Sequence, residues 1–521
     1  MKPTQLLEIS AFEGRIPSEL SADYILPDIY PDVKRILRVA AKPILISRYI
    51  AGRRLEFSGA VDYVVIFSAD TENGESMHSV HFSGDWDGSV GDLETLERAN
   101  IAITPSISAC SARMANPRKL TLKSTVATSV KITLPCPVEP TLDGAPDLAV
   151  AASLEKLTST VTARRERTFL SDPLRISENL EPDATQPAID EIISCSAELF
   201  FNDAKVNLDD STVSLKGLAN VSCIYKSQGE AGTYKSFSRK IPVTYVADAA
   251  DHCGAFSACR PESLCARANA TTVEINADVG ENPYGERRVV ELDVSADVSV
   301  YIVGGEDVSV VLDAYSTTHT SECTVKEHVA KTPDKMLTTS FSVGELLSRD
   351  VLSIGEGASI IDTQIDIVSP EVISQRGRLA LTASALVAMI VEDGGSYSGV
   401  TATLPIKCDL GAPDMSDKVI CNAKLCAADI RTRTSGEGVH LDFEVSVCAA
   451  LCEAKSVSAL SAIRITGELE RECGGAVLTL CYPSADDTLW QVAKRYKTTV
   501  AAIEAANAAD SSVLVIPRTG V

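Results

Sequence analysis

Apolar and polar residues alternate with a period of two along much of this chain, which is the pattern of a strand with one buried and one exposed face. The clearest cases are LTLKSTVATSV from Leu120, VELDVSADVSV from Val290 and VHLDFEVSVCA from Val439. Val, Ile, Thr and Ser dominate these stretches, and long helical periodicity is scarce. The pattern predicts a mainly β protein.

Similar segments recur along the chain at domain-sized intervals. One trio consists of LEFSGAVDYVVIF from Leu55, VSLKGLANVSCIY from Val213 and LALTASALVAMIV from Leu379. A second trio lies just upstream, with ILRVAAKPIL from Ile36, IISCSAELFF from Ile192 and VLSIGEGASI from Val351. These segments indicate three repeats of about 158 residues, followed by a short C-terminal tail.

The repeats and the strand pattern together predict the domain organisation. We expect three tandem antiparallel β-sandwich-like repeats with small helices, at residues 1–153, 154–314 and 315–472. A separate small module is expected at residues 476–521.

Smaller elements are predicted inside the repeats. Short helices are expected at Asp32–Val39, at Asp92–Ala99 with Asp92 as N-cap, and around Ala188–Ser194. The motifs KIPV from Lys240 and TLPI from Thr403 each place a proline in a strand, which indicates an edge strand or a strand entry.

One stretch has the composition of a linker between repeats. The proline-rich segment Pro135–Pro146 is the best candidate. It precedes an expected first strand of the second repeat near Thr158–Phe169.

Charge and hydropathy narrow the class of protein. The formal net charge is −23, which disfavours binding to nucleic acid or to an anionic membrane, because both need a positive surface. No stretch approaches the ~20 apolar residues of a membrane span, and the first 15 residues lack the apolar core of a signal peptide. We expect an intracellular protein that does not insert into a membrane.

The cysteines agree with an intracellular compartment. Their number, 15, is odd, and they are spread along the chain, which favours reduced thiols over a disulfide framework. Cys223, Cys408 and Cys448 lie in apolar strand-like runs, where they behave as small hydrophobes.

Two clusters resemble metal sites, and in both a simpler interpretation is preferred. SGDWDGSVGDLE, Ser83 to Glu94, has acids at three EF-hand positions but begins with Ser and follows a strand-like segment, so we interpret it as an acidic surface loop. Cys253, Cys259 and Cys265 beside His252 lack the C-x-x-C spacing of a zinc site, so free thiols are preferred. We expect neither a metal nor a cofactor.

No catalytic motif stands out. The six histidines are scattered, and we find no H-E-x-x-H, G-x-S-x-G or P-loop pattern. The sequence therefore favours a protein that is not an enzyme.

The tail carries a two-helix pattern. Asp487 or Thr488 can cap a first helix, whose inward positions are Leu489, Val492, Ala493 and Tyr496. Thr499 can cap a second helix, with Val500 and Ile503 inward and Asn507 at its exit.

This tail resembles a LysM domain, a βααβ module. The matching residues are Asp487, Thr488, Leu489, Trp490, Ala493, Tyr496, Thr498, Thr499, Asn507, Leu514, Ile516 and Pro517. Asp486 replaces the glycine that the family has before Asp-Thr-Leu, and the turn before Leu514 lacks its usual apolar residue and glycine. Both changes alter the loops beside the sugar groove of glycan-binding members.

The first repeat resembles another family. LPDIYPDVKRILRVAAKPILI, Leu26 to Ile46, followed by a strand with a central Gly59, looks like the start of a SPOCS repeat (formerly DUF3794) of endospore-forming Firmicutes. The second copy keeps a shorter version, Gln186 to Leu199. The third copy has Ala383 in place of the glycine.

SPOCS repeats followed by a LysM domain are the organisation of morphogenetic proteins of clostridial spore coats. The resemblance implies a scaffold in the mother-cell cytoplasm at the forespore surface, whose LysM domain binds the coat basement-layer ATPase, with other coat proteins as further partners. The alternatives are binding of N-acetylglucosamine-containing peptidoglycan and a ring-forming secretion component. The partner-binding residues we predict are Asp487, Thr488, Trp490, Lys494, Arg495, Tyr496, Lys497 and Asn507.

Overall fold

The computed structural model describes ten segments of the chain. These are residues 6–72, 74–93, 98–143, 151–229, 233–375, 378–411, 419–469, 479–484, 486–508 and 513–517.

Seven strands lie in the first part of the chain. They are β1 (Leu6–Ile25), β2 (Arg35–Ala51), β3 (Arg54–Thr71), β4 (Gly74–Val90), β5 (Asn100–Asn116), β6 (Lys119–Pro137) and β7 (Thr141–Asp143). Strands β2, β3 and β4 form a meander, while β1, β6 and β5 form a second sheet. The apolar core of this unit includes Phe57, Tyr63, Trp86 and Leu122.

The second part repeats this plan. Its strands are β8 (Leu154–Leu170), β9 (Leu174–Leu180), β10 (Ile189–Asn207), β11 (Thr212–Ser227), β12 (Tyr234–Asp248), β13 (Cys265–Gly280) and β14 (Val289–Ser316), and after β12 come a short helix α1 (Ala250–Cys253) and 3-10 turns at Gly254–Phe256 and Pro261–Ser263. Strands β10, β11 and β12 form the meander. The first half of β14 pairs with β13 and β9, and its second half pairs with β8.

The third part has the same plan again, and a small module follows it. The elements are β15 (His319–Lys331), β16 (Lys335–Ser348), α2 (Arg349–Leu352), β17 (Ser359–Gln375), β18 (Arg378–Asp393), β19 (Ser396–Gly411), β20 (Val419–Thr434) and β21 (Gly438–Glu468), then β22 (Thr479–Cys481), α3 (Leu489–Tyr496), α4 (Val500–Ala506) and β23 (Leu514–Ile516).

The prediction of a mainly β chain of antiparallel sheets with a small helical module is confirmed. Among the described strand pairs, only β7 with β21 is parallel.

Two of the expected short helices are wrong. Arg35 begins β2, and Ile189 begins β10, so Asp32–Val39 and Ala188–Ser194 contribute to strands instead. Both segments contain a β-bulge, which places two apolar residues in succession and breaks the period of two that identifies a strand. Half of the third expected helix, Asp92–Ala99, lies outside the described residues; its described residues are not helical, and Asp92 has a positive φ of 60°.

Several smaller predictions can be compared directly with the structure. KIPV lies in β12 and TLPI in β19, and each is an edge strand of its meander, as expected. The segment from Ser83 to Val90 is the end of β4 and not a loop, and Glu94 lies outside the described residues. The proposed linker begins inside β6, whereas Thr158–Phe169 lies in β8 as expected.

The structure also corrects one alignment among the repeats. The bulges of β2 and β10 follow Ile36 and Ile192, and the corresponding bulge of β17 follows Ile360. The segment aligned with them in the sequence, from Val351, instead contains the end of α2 and a turn. With this correction, the step from the bulge of β10 to that of β17 has nearly the same length as the step from β11 to β18.

One pair of cysteines departs from the expectation of free thiols. Cys195 and Cys223 face each other across β10 and β11 and form a disulfide. Twelve other described cysteines are free.

The three meanders meet in an apolar cluster with approximate threefold symmetry. Each meander contributes a bulge residue, a residue of its central strand and a residue of its last strand. The cluster comprises Leu37, Ile66 and Met77, then Ile193, Ile224 and Tyr234, then Ile361, Ile390 and Tyr397. Hydroxyl groups reinforce it, since Ser79 donates to the carbonyl of Ile193 at 2.5 Å and Ser236 donates to that of Ile361 at 2.7 Å.

A buried ionic network joins the three parts of the chain outside their meanders. Glu166 of β8 accepts hydrogen bonds from Lys131 of β6 and from Arg164, and Arg164 also pairs with Asp334 just before β16. Burial alone would raise the pKa of Glu166, but the charges of Arg164 and Lys131 outweigh it and lower that pKa to about 2. The three parts of the chain therefore share an apolar contact and an ionic one.

Candidate functional site

The first helix of the C-terminal module starts at a capping box. Thr488 accepts a hydrogen bond from the backbone N–H of Gln491, and the Gln491 side chain accepts one from the backbone N–H of Thr488. Reciprocal bonds of this kind satisfy two of the free N–H groups at a helix start. Val492 and Ala493 are fully buried, as the periodicity predicts, whereas Leu489 and Tyr496, which were also expected to face inward, are 38% and 39% exposed. Thr488 therefore has a structural role in α3.

The second helix is fixed to β23 through its exit residue. Thr499 caps α4 by accepting from the N–H of Ala502. The Asn507 side chain donates to the Val515 carbonyl at 2.8 Å and accepts from the Val515 N–H at 2.6 Å, and it also donates to the Ile503 carbonyl. Asn507 thus pairs with backbone on both sides.

One face of α3 rests on the second half of β14. Trp490 Nε1 donates to Asp313 Oδ2 at 2.8 Å. Lys494 Nζ lies 2.7 and 2.8 Å from the two oxygens of the same carboxylate. A single aspartate of the second repeat therefore holds two of the residues that the sequence predicts to bind a partner.

Tyr315, two residues further along β14, completes this contact. Its side chain is fully buried, and its hydroxyl donates to the Thr498 carbonyl at 2.6 Å. Its ring packs edge to face against Trp490 with centroids 4.9 Å apart, and Lys497 Nζ lies 5.9 Å from the ring centroid. The geometry is that of an aromatic pair flanked by a cation.

The electrostatics favour this arrangement. Partial burial alone would raise the pKa of Asp313, but the hydrogen bonds from Lys494 and Trp490 outweigh it and lower that pKa. The carboxylate is therefore ionised near neutral pH, and its bonds to the module are charge-assisted. We call Trp490, Lys494 and Lys497 the docking face, and Asp313 with Tyr315 the receptor site.

The remaining predicted residues lie away from this contact. Arg495 pairs with Asp487 at 2.8 Å, and Asp487 also accepts from the backbone N–H of Ser484. Tyr496 is 39% exposed. The eight residues predicted to bind a partner therefore divide into the docking face, an outward group, and the structural residues Thr488 and Asn507.

Sequence reasoning missed the receptor site. Asp313 and Tyr315 stand near the end of an alternating strand, where a carboxylate and an aromatic ring fit the pattern of any strand. Nothing local marks them as partners of a module that lies far away along the chain.

A second feature is a central chamber of about 980 Å³ between the three meanders. Lys42, Glu198 and Asp366 line it and occupy the same register position in β2, β10 and β17. Burial raises the pKa of Glu198 and of Asp366, and it lowers the pKa of Lys42 and of Lys424. Lys42, Glu198 and Asp366 remain solvent-accessible on the chamber wall, although much protein lies around them.

Metal binding finds no support among the described residues. No group of three or more His, Cys, Asp or Glu side chains in the described segments is arranged to hold a metal ion. Of the four residues considered for zinc, His252 stacks on Phe169 with ring centroids 4.3 Å apart. Cys265 lies near the Asp334 carbonyl.

The fold and the site define a multi-repeat β protein with a small βααβ module docked onto its second repeat. Residues 484–517 match the family model of the LysM domain. The chain therefore carries a LysM domain, as the sequence predicted. No curated protein and no solved structure matches the chain. In the described segments, no helix is long and apolar enough to cross a membrane.

Proposed function

We propose that this chain is a non-enzymatic scaffold in which the LysM domain binds a protein partner. The supporting observation is the contact of the docking face with Asp313 and Tyr315. In this chain that face engages a polypeptide surface, through a carboxylate and an aromatic ring.

The finer proposal is a SipL-like role in spore coat assembly. It depends on the resemblance of Leu26–Ile46 to a SPOCS repeat and on a LysM domain after three β-rich repeats. The partner would be the SpoIVA-like ATPase of the coat basement layer, at the forespore surface in the mother-cell cytoplasm. The repeats would present further surfaces to other coat proteins, and modules in series gain avidity from modest contacts.

The test uses the full chain and two purified targets. We expect the wild-type chain to bind the basement-layer ATPase in biolayer interferometry and not to sediment with purified peptidoglycan. Trp490→Ala, or Lys494→Glu together with Arg495→Glu, should weaken ATPase binding by at least about tenfold, the loss expected when an anchor residue is removed. Glu504→Ala, on the exposed side of α4, is the matched control and should bind normally.

Peptidoglycan binding is the second candidate, because the LysM family match is compatible with glycan recognition. Sedimentation of the wild-type chain with peptidoglycan, without any binding to the ATPase, would favour it. ATPase binding at wild-type strength by folded Trp490 and Lys494 variants would contradict the role we assign to the docking face.

A further inference from the structure

The core of the LysM domain is completed by a side chain from outside the domain. Tyr315 is fully buried in one cluster with Cys481, Val492 and Ile503 of the module. Withdrawal of Tyr315 would expose the apolar surface around Trp490 to water, at a cost in free energy that grows with the exposed area. This part of the module is therefore a slot for an aromatic ring.

The carboxylate of Asp313 beside the slot sets a second requirement for any segment that occupies the slot. Lys494 contacts both oxygens of Asp313, and Trp490 donates to one of them. An aliphatic or cationic side chain at this position would leave both donors without their acceptor. The slot therefore accepts an aromatic ring two residues from a carboxylate on an extended strand.

The third repeat does not offer this pair of side chains. The strand from Val290 aligns with the strand from Val439, so the positions of Asp313 and Tyr315 correspond to Ala462 and Arg464. An arginine there would repel Lys494 and Lys497. The third repeat therefore lacks the receptor site.

The module contacts the second repeat through side chains and not through a shared sheet. Strands β22 and β23 pair only with each other among the described strands, so no sheet continues from the module into a repeat. Lys494 remains 43% exposed in its ion pair. Domains joined in this way are expected to move relative to one another unless their interface is large and apolar.

We propose that the second repeat occupies the docking face in cis, and that a partner displaces it by presenting the same chemistry, a carboxylate two residues before an aromatic ring on an exposed strand. This deepens the proposed function, because it specifies the partner surface and makes capture depend on release of the module. In the free chain the second repeat covers the docking face, and a partner whose strand fits better displaces it.

The first test measures release without any partner. In a Trp86→Phe background, Trp490 is the only tryptophan, because the chain has two. Asp313→Lys should shift the Trp490 emission to longer wavelength and raise acrylamide quenching about twofold or more, since the indole loses its buried contact. The charge-swapped pair Asp313→Lys with Lys494→Asp rebuilds the ion pair but leaves the Trp490 indole without its acceptor at residue 313, so it should reverse only part of the shift. An unchanged spectrum in folded Asp313→Lys would overturn the proposal.

The second test measures the freed face with a defined probe. A labelled peptide of residues 311–317, VLDAYST, should bind the Asp313→Lys chain at least about tenfold more tightly than the wild type, in which the cis strand competes at high effective concentration. The matched control is the third-repeat peptide LSAIRIT, residues 460–466, which should bind neither chain. Equal peptide binding to both chains, or none to the released chain, would also overturn the proposal.

These outcomes separate the inference from the function. Release and peptide binding without ATPase binding would contradict the proposed spore coat role and leave the cis contact established. ATPase binding with no spectral change in Asp313→Lys would support the proposed function and contradict the cis contact.

Discussion

Two contacts between modules of this chain differ in kind. The three meanders meet through nine apolar side chains, including Ile66, Ile224 and Ile390, all of them buried. The LysM domain meets the second repeat through one carboxylate and one aromatic ring. The first contact resembles the core of a domain, and the second resembles a transient protein interface. The difference suggests that the repeats form a fixed body and that the LysM domain is its movable part.

Breaking a charge inside the fixed body should have the largest effect. Arg38 of β2 pairs with Asp362 of β17, and both side chains are at most 8% exposed. Arg38→Ala leaves the carboxylate buried without its partner, so we expect unfolding in urea to show a loss of about 3–5 kcal/mol. The double change Arg38→Met with Asp362→Leu removes both charges and should recover most of that loss. A small effect of Arg38→Ala would show that the meanders separate easily.

Truncating the apolar cluster should cost nearly as much. Ile390 is fully buried between the meanders, and Ile390→Ala is expected to lower the free energy of unfolding by about 2–5 kcal/mol. Leu386 lies on the same strand and is 37% exposed, so Leu386→Ala is the matched control and should lose about half as much or less. Similar losses at the two positions would argue against a buried contact between repeats.

Lowering the pH should destabilise the body formed by the repeats, because Glu166 becomes protonated. Its folded pKa of about 2 lies below the usual value of about 4.3, so its contribution to stability is complete above about pH 4.3 and is lost as the pH falls towards 2. The shift corresponds to about 3 kcal/mol. Glu166→Gln should therefore be less stable than the wild type at pH 6, and this difference should shrink as the pH falls. A difference that stayed constant from pH 6 to pH 2.5 would contradict the assignment.

The smallest effect should come from the LysM contact. Lys494→Ala should lower global stability by less than about 1 kcal/mol, because the ion pair is partly solvated. It should still increase hydrogen exchange at the amides near Tyr315. Arg495→Ala, one residue along α3, breaks only the pair with Asp487 and should leave exchange near Tyr315 unchanged. Equal hydrogen exchange near Tyr315 in Lys494→Ala and Arg495→Ala would show that the two sides of α3 do not differ in their contact with the second repeat.

Much of the fold could be predicted from the period of two. The strands from Leu120, Val290 and Val439 lie in β6, β14 and β21, because each has one face on a core and one in solvent. The period fails where a bulge interrupts it, as at Leu37 and Ile193, and there the sequence predicted helices. The repeat boundaries and the SPOCS resemblance remain predictions.

One substitution between repeats has a structural explanation. Gly217 has no room for a side chain, since a Cβ there would lie 2.2 Å from the Phe200 carbonyl. The corresponding residue in the third repeat is Ala383, and it faces an enlarged bulge at Ser369 and Pro370 of β17. The wider bulge removes the close backbone approach, so the third repeat tolerates a methyl group.

The candidate site was only half predictable. Local periodicity and capping identified α3, α4 and their buried residues Val492, Ala493 and Ile503, but placed the exposed Leu489 and Tyr496 inward. Which surface is covered depends on Asp313 and Tyr315, distant in sequence and ordinary in pattern. Cys195 and Cys223 illustrate the same limit, because each fits an apolar run and only their register brings the two sulfurs together.

The central chamber has a consequence for how such a body could arise from shorter chains. At the level of Arg38 the other two strands present Ser194 and Asp362, and at the level of Lys42 they present Glu198 and Asp366. Three copies of any one repeat would place three identical side chains together, three ammonium groups or three carboxylates at the second level. Each repeat is therefore matched to its two unlike neighbours, and fusion into one polypeptide fixes their order around the axis.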